Sequence, residues 1–113
     1  MFVEPTRNVT RIRELNDQFR TTFRGGRVML TPGILSLPVA MRSEIVRRIM
    51  AFKEFNEAND PRHEHDFIAF DLTGRRIFAK IDYYAPDLEH GSDDPADPAK
   101  TTRVMTIMTA EEY

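Results

Sequence analysis

Residues 63–84 constrain the fold of this chain more than any other stretch. They read HEHDFIAFDL, then Thr73-Gly74, then RRIFAKIDYY, two alternating runs around a two-residue turn signal, which is the pattern of a β-hairpin. With Thr73 and Gly74 as the turn, Leu72 pairs with Arg75, Phe70 with Ile77, Ile68 with Ala79 and Asp66 with Ile81. Side chains alternate between the faces of a strand, so one face carries Ile68, Phe70, Leu72, Ile77, Ala79, Ile81 and Tyr83. That face is the expected core. The other carries Phe67, Ala69 and Asp71 opposite Lys80, Phe78 and Arg76, with His65 opposite Asp82 and His63 near Tyr84. A one-residue slip would exchange the faces and drive Lys80 and Asp82 into the core, which disfavours it.

The flanking segments supply layers for that core face. Over 8–24, Val9, Ile12, Leu15, Phe19 and Phe23 share one third of a helical wheel, predicting an amphipathic helix ended by Gly25-Gly26. Arg13, Asp17, Arg20 and Arg24 run along its flank and are expected to be solvated, with weak ion pairs. Residues 27–31 are β-prone and are followed by Pro32-Gly33, a pair suited to the centre of a type II turn. After a connector over 34–37, Pro38 fits the first turn of a second helix reaching about residue 55. Met41, Ile45, Ile49 and Phe52 line its buried face, widened by Val46 and Met50. Its cations Arg42, Arg47, Arg48 and Lys53 point in different directions, which disfavours a recognition helix in a DNA groove. Residues 85–101 form a long, acidic, proline-containing loop, and 103–109 resume a β pattern. Two helices and four strands in the order α-β-α-β-β-β predict an α+β sandwich of one domain over 1–113, with the helices packed on one face of a mainly antiparallel four-stranded sheet.

Composition narrows the chemistry. The 113 residues carry 16 basic and 18 acidic side chains, a net charge of -2, which favours neither bulk nucleic-acid binding nor an acidic mimic of it. The absence of cysteine excludes disulfides, thiolate metal sites and a cysteine nucleophile. No apolar run approaches the ~20 residues of a membrane span, and residues 1–7 lack the apolar centre of a signal peptide, so a cytoplasmic protein is expected. A metal or acid-base site would have to use His63, His65 or His90 with carboxylates. His65 with Asp82 could form a carboxylate-oriented imidazole, or with His63 or His90 could bind a divalent ion. The plainer alternative is that Asp82 orients His65 to finish the hairpin. The acidic loop lacks the spacing of an EF-hand, and Ser36, Ser43 and Ser92 lack a nucleophile elbow.

The outer face of the hairpin remains as a surface. Phe67, Phe78, Lys80, Asp82 and Tyr84, with His65 at its end and Asp87, Glu89, Asp93 and Asp94 in the adjoining loop, combine aromatic area with charge as protein-binding surfaces do. Stacking of single-stranded bases on Phe67, Phe78 and Tyr84 is a further possibility, against which the acidic loop argues.

Five blocks carry a family likeness: RIRELND at 11–17, LTPG at 30–33, EHDF at 64–67, KIDYY at 80–84 and DPADPAKTTRV at 94–104. Together they resemble a small bacterial domain family of unknown function, often encoded on plasmids and other mobile elements near anti-restriction and partition genes. The resemblance implies a mobile-element accessory role and carries over no catalytic residue. Arg62-His63 stands where that family more often has a smaller residue before Glu64, which counts against His63 as an essential ligand. The expected function is a small cytoplasmic protein-binding module, an inhibitor or modulator of a host defence or DNA-processing complex, without cofactor, metal or membrane contact. A metal-dependent or His/Asp acid-base enzyme and a single-stranded nucleic-acid binder are the alternatives.

Overall fold

A computed structural model describes residues 8–113; the signal-peptide reading of residues 1–7 lies outside them. Helix α1 (Val9–Thr22) starts at Asn8, whose Oδ1 accepts the Arg11 N–H at 3.1 Å, and Ile12 and Phe19 are buried on its inner side. It ends earlier than the glycine pair suggests. Phe23 takes the left-handed conformation (φ 59°) and returns its N–H to the Phe19 carbonyl, and Gly25 follows at φ 97°.

Strand β1 (Gly26–Leu30) comes next. Pro32-Gly33 does not form the expected turn but opens an extra short helix, α2 (Pro32–Leu35). Proline tolerates a first helical turn, and the free N–H of Gly33 is taken at 2.9 Å by the distant Glu112 carboxylate. A side chain at residue 33 would displace that carboxylate, so glycine preserves the contact. Helix α3 (Val39–Ala51) follows Pro38 as expected but stops short of residue 55, and Phe52 and Phe55 leave the helix to pack against the core.

The sheet contains β2 (Phe67–Leu72), β3 (Arg75–Tyr84) and β4 (Thr102–Thr109) in the order β1-β4-β3-β2. The hairpin register is the one read from the sequence, with Phe67 opposite Lys80, Ala69 opposite Phe78 and Leu72 opposite Arg75. β3 and β4 are antiparallel, but β1 joins β4 in parallel, so the sheet is mixed. The fold is therefore α+β, with three α-helices among the described residues in the order α-β-α-α-β-β-β; this adds one helix to the expected two, and two of the three strand pairs are antiparallel, in rough agreement with the mainly antiparallel expectation. The parallel pair closes a connection that takes in every other element of the sheet, and no local pattern encodes it.

The helices cover one face. Phe19, Ile45 and Ile49 join Phe70, Ile77, Ala79, Ile81, Met105 and Ile107 in one core. Full burial of each such large side chain is worth roughly 1.5–3 kcal/mol, so this face pins the register. Among the described residues no helix is long and apolar enough to cross a membrane.

Candidate functional site

Among the described residues no α-helix packs on the opposite face of the sheet, and five of the expected site residues lie on it. Phe67 and Phe78 sit on neighbouring strands with ring centroids 5.1 Å apart. Tyr113, which the sequence reading did not include, stands edge-on to both, at 6.2 Å from Phe67 and 5.6 Å from Phe78. A 3-10 turn at Ala110–Glu112 folds the chain end back to deliver it. Lys80 and Asp82 lie two residues apart on one strand, hence on the same face, and pair at 3.2 Å while remaining partly exposed. Tyr84 continues the row opposite Thr102. Beside Lys80 and Asp82 a shallow depression of about 380 Å³ is rimmed by Arg62, Asp66 and Tyr113. Asp66 meets Arg62 at 2.9 Å; burial nonetheless pushes its carboxyl above the ordinary value, against the pull of that guanidinium.

His65 does not join this face, and its expected pairing with Asp82 is replaced by another. His63 and His65 both have positive φ, 59° and 55°, so the chain turns twice before the strand begins at Phe67. The Glu64 and His65 N–H groups donate to Asp60 Oδ1, each at 3.1 Å, and the imidazole swings to the helix side. There Nδ1 meets Asp17 at 2.9 Å, Nε2 lies 3.5 Å from Asp60, and the ring stacks on Phe55 at 3.8 Å. The flank of α1 read as solvated is thus a docking seam. Arg20 is 5% exposed, binds Asp17 and donates to the Ile49 and Phe52 carbonyls, and Arg13 donates to the His63 carbonyl at 3.1 Å.

A second polar group is fully internal and was not foreseen. Asn16 donates to the Glu64 carbonyl at 2.9 Å and to Tyr83 Oη at 2.8 Å, and Tyr83 donates to Glu64 Oε1 at 2.8 Å. Arg103 donates from Nε to Asn16 Oδ1 at 2.7 Å, reaches the Pro95 carbonyl and lies over the Tyr83 ring. Burial raises the Tyr83 phenol and lowers the Arg103 guanidinium from their ordinary values. Two signals pointed here: Asn16 interrupts the apolar stripe between Ile12 and Phe19, and Arg103 shares the inward parity of Met105 and Ile107. All but one of the blocks behind the family likeness contribute a member of these two networks.

The acidic loop is folded. Gly91 bridges to Tyr84, and the Ser92 N–H returns to the Tyr83 carbonyl at 3.1 Å. Asp87 accepts the N–H groups of Glu89 and His90 at 2.8 and 3.2 Å, which holds its carboxyl below the ordinary value, and Asp94 accepts that of Ala96 at 3.1 Å. These two expected partner contacts thus serve their own loop, while Glu89 and Asp93 are exposed. Asp87, Glu89 and His90 are near enough to share an ion, all three on the open surface. The three histidines are not brought together: His65 sits in the α1 seam, and His90 binds Asp87 at 2.8 Å.

A family model described as a protein of unknown function, DUF3768, matches residues 30–112. The chain belongs to the DUF3768 family. No curated protein and no solved structure matches it. The DUF3768 match takes in β2 to β4, and with them Phe67, Phe78, Lys80, Asp82 and Tyr84, as well as Glu64, Tyr83 and Arg103. Asn16, Asp17 and Arg20, which lock α1 onto those residues, precede it.

Proposed function

We propose that this DUF3768 chain is a small cytoplasmic protein-binding module whose working surface is the helix-free face of the sheet. One observation carries the reading: Phe67, Phe78 and Tyr113 pack together beside the Lys80–Asp82 pair on the face that no α-helix covers among the described residues. Clustered aromatics supply contact area at low entropic cost, and flanking charges supply selectivity. Glu89 and Asp93, on the loop that leaves this face at Tyr84, extend it with negative charge suited to a partner's basic patch. The block resemblance to mobile-element proteins makes a component of a host defence or DNA-processing complex the class of partner, with this chain as its inhibitor or modulator.

The acid-base reading is weaker because the His65 ring has a carboxylate at each nitrogen. An imidazole bound to Asp17 at Nδ1 and stacked on Phe55 is placed as an anchor of the α1 seam. Base stacking is weaker because Lys80, the cation beside the aromatic group, is already paired with Asp82. The test is capture from lysate of the native host. The double variant Lys80→Glu, Tyr84→Ala should keep the wild-type circular dichroism and melting temperature yet lose the captured protein. Equal capture by the variant rejects this face, and salt-sensitive retention of single-stranded DNA by the wild type favours the nucleic-acid alternative.

A further inference from the structure

We propose that two copies of this chain associate through the free edges of β1, antiparallel about Val28, joining their four-stranded sheets into one. This stands apart from the outer-face reading. β1 is an end strand of the sheet. The Thr31 N–H donates to the Ile107 carbonyl at 3.2 Å, which fixes the alternation: residues 27, 29 and 31 turn their main chain toward β4, and Gly26, Val28 and Leu30 turn theirs away. A row of outward N–H and C=O groups is complemented by another strand.

The strand is also largely apolar and exposed among the described residues. On the strand itself Met29 is 55% and Leu30 36% exposed. Edge strands are ordinarily protected by charge, proline or a covering element. The other end strand, β2, has such protection, since Arg48 of α3 donates to the Asp71 carbonyl at 3.3 Å. β1 has only Arg27.

The occupant follows from symmetry and charge. Two identical edges related by a two-fold axis pair antiparallel. Centring the axis on Val28 uses all five residues of the strand, placing Gly26 opposite the second copy's Leu30 and Arg27 opposite its Met29. All three outward residues are then hydrogen-bonded. Arg27 and Met29 lie on the outer face, in line with Val104 and Thr106, and no like charges meet. A register centred on Arg27 would oppose two guanidiniums.

Sedimentation equilibrium tests this with the full chain. The wild type should approach twice its 13.1 kDa mass with rising concentration. Met29→Glu puts a carboxylate opposite the second copy's Arg27 and should tighten the dimer several-fold, while Met29→Lys should loosen it by a similar factor. Leu30→Pro removes an outward donor without touching the β4 pairing and should give a folded monomer. A wild type that stays monomeric throughout, Met29 variants that shift in the same direction, or a dimeric Leu30→Pro chain overturns the proposal.

Discussion

Asn16 shows how much one side chain does in this molecule. Fully buried on α1, it holds the Glu64 carbonyl, Tyr83 and Arg103 at once. Leucine there keeps the volume but deletes one hydrogen bond from each of these three partners, and a lost buried hydrogen bond costs about 1–3 kcal/mol. Asn16→Leu should therefore lower the unfolding free energy by about 2–4 kcal/mol. Urea denaturation checks this, and an unchanged midpoint contradicts the role given to Asn16. The polarity of Asn16 within an apolar stripe was visible in the sequence. Its partners lie 48, 67 and 87 residues away, and no local pattern encodes such distances. His65 was misplaced for a related reason: the Asp17 carboxylate that takes its ring lies 48 residues away, while Asp60, just ahead in the same loop, takes the Glu64 and His65 N–H groups and diverts the chain from the strand that the alternation suggested.

At the scale of elements, what was legible is what is local. Thr73-Gly74 and the alternation around it specified β2, β3, their register and their buried face, because neighbouring strands joined by two residues have no other way to hide Ile68, Phe70 and Ile77. The parallel β1–β4 pair and α2 depend on chain ends that meet only in the fold. Glu112 makes the second of these meetings. Its carboxylate accepts from Thr31 Oγ1 at 2.6 Å, the Thr109 N–H at 2.9 Å and the Gly33 N–H at 2.9 Å. These bonds, that of Thr31 foremost, hold its carboxyl at about 2 against an ordinary 4.5. A depressed folded-state value means that the contribution is complete above pH 4.5 and is lost as pH falls toward 2. The melting temperature of Glu112→Gln should therefore lie below that of the wild type at pH 6, and the gap should narrow as pH is lowered through that window. A gap independent of pH would show that the ionised carboxylate does not pin α2.

At the scale of the whole molecule, the two faces of the sheet have divided roles. One is sealed by α1 and α3, with the Asn16, Glu64, Tyr83 and Arg103 group and the Asp17, His65 and Asp60 seam fixing α1 to the strands. The other carries no α-helix among the described residues, and the alternation of the hairpin had already separated its side chains from the core. Tyr113 was missed because nothing in the last residues reveals that a turn folds them onto Phe67 and Phe78. The contrast between the faces is also the sharpest test of the binding-module account. A photo-crosslinking amino acid placed at position 80 on the open face, and separately at exposed Arg47 on α3, should be irradiated in the native host and the adducts identified by mass spectrometry. The account predicts one discrete protein adduct from position 80 and none from position 47. The same adduct from both positions, or one from position 47 alone, contradicts it.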